Sequence, residues 1–203
     1  MTAKTKRNAK RNVKRVMPEG FDRKVLDKWL KNGLCSGAGD GVNAVCVEQA
    51  IALAFGMELT DKPELDEKSC IARCVAEFKR NLNDCNWSSP SARSKGLRRL
   101  AYEQIGSKGI DCKFFAKRLA ELTIRELLPP LFRIVAEMHD EPHKARMKEA
   151  ADRCENDGDE LAADAAAAAA DGDKFLTIMA GLGLRVLHEA KKKAGIPLFA
   201  ELS

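Results

Sequence analysis

Aromatic residues are scarce in this chain, at 5 % of 203 residues, with one tyrosine and two tryptophans. No stretch alternates apolar with polar side chains, the pattern that builds half-buried strands, so a sheet-based fold is not expected. No run of eighteen apolar residues occurs, and none of the chain is expected to span a bilayer. The first fifteen residues, MTAKTKRNAKRNVKR, hold no acid, and no apolar segment follows them, which argues against a secretory signal there. Catalytic signatures are also missing. There is no GxSxG, HExxH or EF-hand pattern, and no Glu-x-x-His pair of the kind a di-iron bundle needs.

What the chain does have is helical punctuation. Phe21, Val25, Leu26, Trp29 and Leu30 recur at helical spacing and stop at Asn32-Gly33. Asn43 is a candidate cap for a second helix carrying Cys46, Val47, Ala50, Ile51 and Ala54, ended by Gly56. Ile71, Cys74, Val75, Phe78 and Leu82 make a third stripe. Ser89-Pro90 opens a helix with Leu97, Leu100, Ala101 and Ile105 inward, and Asp111 caps the next one. Pro129-Pro130 should break or kink that helix. The run Leu161–Ala170 is nearly pure alanine, the best helix former. Asp173 is the expected cap of a last helix that ends before Gly195 and Pro197. The reading is an all-α fold of seven to nine helices: a basic N-terminal arm, 1–18, and one helical domain, 19–203, with a possible sub-boundary near 139–158. Trp29, Phe78, Phe115 and Phe132 are expected in a single core.

Charge is distributed unevenly. Residues 1–31 carry eleven Lys or Arg against Glu19, Asp22 and Asp27, while the other 172 residues carry 24 basic and 27 acidic side chains. The segment's cations are Lys4, Lys6, Arg7, Lys10, Arg11, Lys14 and Arg15; wound as a helix, Lys4, Arg7, Arg11 and Lys14 form one cationic line, flanked by Lys6 and Lys10. Such arms bind phosphate backbones through counterion release. In character the segment resembles the arginine-rich RNA-binding peptides of phage antitermination proteins. A second basic group is Arg93, Lys95, Arg98 and Arg99. Nucleic acid, RNA more than DNA, is the expected partner of these residues, and an acidic protein surface is the rival. A solubilising tail and a solvated helix face are the plainer readings of the two groups.

The segment GLCSGAGDGVNA, Gly33 to Ala44, matches the dinucleotide spacing GxGxxA at Gly39, Gly41 and Ala44. That fingerprint needs a strand before it and a parallel sheet around it, and neither is expected here. The loop is read as a helix connection that could still hold an anion at a helix N-terminus.

Seven cysteines, an odd number lying mostly in helical patterns, point to reduced thiols and a cytoplasmic setting. Cys70 and Cys74 share a spacing with His139 and His143 that could imitate a zinc set. Pro142 separates the two histidines, and buried cysteine is ordinarily a small hydrophobe, so no metal or cofactor is expected. His188, next to Glu189, reads as solvated.

The block from Gly41 to Asp84 resembles a family of uncharacterised helical proteins from bacteria and their phages. Cys46, Glu48, Ala50, Gly56, Asp61, Pro63, Cys70, Asn83 and Asp84 carry the likeness, and some members share an alanine-rich C-terminal helix. The six residues between Pro63 and Cys70 exceed the family's spacing. The resemblance implies a helical fold and no known activity. The expected function is therefore a non-enzymatic helical binding protein that contacts nucleic acid through its basic arm. A protein-interaction or inhibitor module and a small metal- or thiol-dependent enzyme are the alternatives.

Overall fold

The structure, a computed structural model, describes residues 18–67, 69–156 and 172–199. Among these residues the fold is all-α, with no strand. The helices are α1 (Arg23–Asn32), α2 (Val47–Ala54), α3 (Arg73–Asp84), α4 (Pro90–Glu103), α5 (Cys112–Leu122), α6 (Leu128–Ala136), α7 (His143–Asn156) and α8 (Asp173–Lys193). The alanine run at 161–170 lies outside the described residues.

Local signals set most helix starts. The Asp22 carboxylate accepts from Lys24 N at 2.8 Å, and Ser89 Oγ accepts from Ala92 N at 3.1 Å with Pro90 in the first turn. Asp111 accepts from the amides of Lys113 and Phe114. Two caps differ from expectation. Helix α2 is capped by Cys46, whose Sγ accepts from Gln49 N while Gln49 Oε1 accepts from Cys46 N, a reciprocal box closed by thiol and amide. Asp173 is the first residue of α8, after Gly172, and its carboxylate accepts from the amide and hydroxyl of Ser88.

Pro129-Pro130 does not end the helical path. Helix α5 runs through a π turn, Thr123–Leu127, into α6. Leu128 N bonds Thr123 O, five residues back. The widened turn hands the chain to a new first turn, where a proline's missing N–H leaves no hydrogen bond unmade.

Apolar burial falls into three clusters rather than one. The first joins α1, α2, α3, α4 and the start of α8, and it contains Trp29 and Trp87. The second lies between α3, α5 and α8 and contains Phe115. The third is a satellite of Leu128, Phe132, Ala151 and Cys154 inside the α6–α7 hairpin. Trp29, Phe115 and Phe132 are buried as expected but in different clusters. Phe78 is only half-buried and bridges the first two.

The expectation of seven reduced thiols fails at one pair. Cys74 near the start of α3 and Cys112 at the start of α5 form a disulfide. Spacing along a chain does not reveal which half-cystines meet, because connectivity is set by helix packing.

Candidate nucleic-acid interface

Helices α1 and α4 pack side by side and antiparallel. Leu34 N bonds Pro90 O at 3.1 Å at one end of the pair, and the Arg23 guanidinium lies over the Tyr102 ring at 5.6 Å at the other. Between them Asp27 pairs with Arg98, lies 3.2 Å from Arg23, and accepts from the Tyr102 hydroxyl at 2.7 Å. These donors hold the Asp27 carboxyl below its ordinary range even though partial burial opposes ionisation.

Outside this seam the surface is cationic. Lys24, Lys28 and Lys31 are exposed at i, i+4 and i+7 on α1 and therefore lie in one row. Lys95, Arg98 and Arg99 are exposed on the neighbouring helix. The antiparallel register sets Lys31 near the level of Lys95. Asp27 is the one acid inside α1, and it is already shared among Arg23, Arg98 and Tyr102.

Arg93, grouped with these cations from sequence, does not belong with them. It is buried at 6 % exposure and donates to the carbonyls of Asn83 (2.7 Å), Leu34 (2.9 Å) and Cys85 (3.4 Å). A cation there satisfies the orphan carbonyls at the C-terminal end of α3 and ties them to the loop after α1. The period could have shown this, since Arg93 falls four and seven residues before Leu97 and Leu100, on the inward side. Lys4, Lys6, Arg7, Lys10, Arg11, Lys14 and Arg15 lie outside the described residues. The α1 row was missed because its lysines interleave with the apolar stripe that dominated the reading of that helix.

The chain matches no family model, no curated protein and no solved structure. The family likeness read from Gly41–Asp84 therefore adds nothing to the geometry. Several residues that carry it brace the glycine loop. Asp84 Oδ1 accepts from Gly37 N at 2.8 Å, and Asn83 donates to Cys35 O while accepting from Val47 N.

That loop's donors are turned inward. Asp40 Oδ1 accepts from the amides of Val42, Asn43 and Ala44 at 2.7–3.0 Å, and Asn43 Nδ2 donates to Asp40 Oδ2. Gly39 N and Cys46 N donate to Gln49 Oε1, Gly41 N donates to Ala44 O, and Cys35 N donates to Val45 O. The four donors around the Asp40 carboxylate hold its pKa far below the ordinary value. A phosphate would find this nest filled by the protein's own carboxylate.

The suggested zinc set is not assembled. Cys74 is in the disulfide, and Cys70 precedes α3 and accepts from Gly106 N. His139 lies before Pro142 and His143 begins α7, with their rings 6.3 Å apart. Among the described residues no three metal-type ligands cluster. His188 is not fully solvated. It is half-buried with Nε2 3.5 Å from Glu103 Oε2.

A charged pair lies wholly inside the core. Glu48 on α2 and Lys79 on α3 are both 0 % exposed, 3.2 Å apart, and Gln104 Nε2 donates to the other Glu48 oxygen at 3.3 Å. Burial pushes Glu48 up and Lys79 down to about 8, so desolvation outweighs their attraction. A lysine with a lowered folded-state pKa binds fewer protons folded than unfolded between about 8 and its ordinary 10.5. Stability from this group should therefore rise with pH across that window. Comparing urea midpoints of the wild type and an E48Q/K79M variant at pH 7.5 and pH 10 checks the sign. The stability of the wild type relative to the variant should be greater at the higher pH.

Among the described residues no helix is long and apolar enough to cross a membrane.

Proposed function

We propose that the protein binds nucleic acid, RNA in preference to DNA, through residues 1–15 together with the exposed face of α1 and α4. The observation that carries this reading is the row Lys24, Lys28 and Lys31 lying beside Lys95, Arg98 and Arg99. It extends the cationic sequence before α1 onto a rigid surface. Loose cations neutralise phosphates without geometry, whereas cations fixed on a packed helix pair also set register along a backbone. Asp27 gives Arg98 and Arg23 defined positions and so favours one docking orientation.

The test is salt-dependent fluorescence anisotropy with single-stranded RNA and DNA of mixed sequence. Wild-type protein should bind, with affinity falling steeply in salt. The variant K24E/K28E/K31E should bind more weakly, and three lost phosphate contacts should lower the log–log slope by about 2 in magnitude for a single strand. R7A/R11A should weaken binding additively. Absence of binding to every probe at low salt would defeat the proposal. Unchanged affinity and slope in the lysine variant would remove α1 from the interface.

A further inference from the structure

We infer that α6 is the seam of a two-fold symmetric homodimer. The α6–α7 hairpin packs on the π turn and has its own small core, so the outer side of α6 faces away from the two larger clusters. That side carries exposed Ile134 and Met138, with half-buried Val135 and Leu131 continuing the same helical spacing, Leu131 at the edge where it also packs against the hairpin's own core. Met138 stays on it because the amides of Glu137, Met138 and His139 continue the helical turn onto the carbonyls three residues back. Ile134 is 64 % exposed and Met138 77 %. A groove of about 500 Å³ opens beside them, lined by Arg133, Ile134, Glu137, Lys148 and Asp152.

The charges around this stripe select the occupant. Arg133 sits one turn before Glu137, with Ile134 between them. Arg133 pairs with Asp152 and Glu155, and Glu137 pairs with Lys144 and Lys148, so each is held in place on the hairpin surface. An antiparallel second copy of α6 sets Arg133 against the partner's Glu137 and Glu137 against the partner's Arg133. The same register sets Leu131 against the partner's Met138 and Ile134 against the partner's Val135. One arrangement thus satisfies both the apolar and the charged positions, as an isologous interface requires. A parallel copy would oppose like charges at both positions. Helix α6 is short, so the buried area falls at the low end for specific interfaces, and a dissociation constant in the micromolar range, roughly 10 µM, is expected.

The experiment is sedimentation velocity of the full chain in reducing buffer, which removes any intermolecular disulfide. Wild-type protein should shift toward twice its 22.3 kDa mass as concentration rises. I134E/M138E should remain monomeric with an unchanged helical circular dichroism spectrum. R133E alone and E137K alone should each associate at least tenfold more weakly, because each opposes like charges with itself. Their equimolar mixture should recover dimer, since both cross-pairs become complementary. A wild-type monomer at about 100 µM, which puts any dissociation constant above that, overturns the inference and leaves the stripe to residues 157–171 or to another protein. A dimer that survives I134E/M138E, or single charge variants that do not rescue each other, overturns it as well.

Discussion

Replacing Lys79 with methionine should destabilise the fold by about 3–5 kcal/mol at neutral pH. Methionine matches the length of the lysine stem and keeps the packing against α2, so the loss is electrostatic. Glu48 is 0 % exposed, and its nearest cation is the Lys79 ammonium at 3.2 Å. Without it the carboxylate keeps one hydrogen bond, from Gln104, in a site with no access to water. Burial already raises its pKa, and the lost cation raises it further, so K79M should recover stability as the pH falls and Glu48 takes up a proton. Removing both charges in E48Q/K79M should restore most of the loss or exceed the wild type, because neither residue then carries an unpaired charge. Urea unfolding of the three proteins at pH 5 and pH 7.5 tests this. Equal midpoints for K79M and wild type at pH 7.5 would mean that the pair is solvated.

Gly39→Ala should cost about 3 kcal/mol or more, a large effect for one methyl group. A Cβ at this position would lie 2.1 Å from Ala44 O and 2.8 Å from Val45 N. Both are backbone atoms, so no rotamer change relieves the contact. The segment cannot shift outward cheaply, because Gln49 grips Gly39 on both sides, accepting from its amide at 2.7 Å and donating to its carbonyl at 3.0 Å. Gly37→Ala is the control, since a Cβ there meets nothing within 4 Å and only its φ of +62° opposes the change. Thermal melts should place Gly39→Ala well below Gly37→Ala. Similar melting temperatures would show that the loop is free to open.

Helix ends were largely legible in the sequence, because each depends on a few neighbouring residues. Asn32-Gly33, Ser89-Pro90 and Asp111 mark boundaries that the structure reproduces. The interior charges were not legible, although a trace was present. Lys79 falls four after Val75 and three before Leu82, on the buried side of α3, where a cation signals a partner from another helix. Arg93, four before Leu97 and seven before Leu100, likewise falls on the buried side of α4. Which partner each finds depends on how α2, α3 and α4 stack, and residue spacing carries no record of that. The Cys74–Cys112 link was hidden for the same reason. On the candidate interface, Arg98 and Arg99 could be named from charge alone. The α1 row emerged only once burial showed which side of that helix faces solvent.

The carboxylate of Asp40, seated among the amides of residues 42–44, makes the glycine loop a receptor that carries its own occupant. A group tethered two to four residues from its site acts at an effective concentration of millimolar or more. Free phosphate entering from solution would have to outcompete it, and would also meet the repulsion of the carboxylate it displaced. The loop is therefore self-saturated. Deleting that one side chain, as in D40A, would leave three converging amides vacant and turn a structural turn into an anion receptor open to solvent.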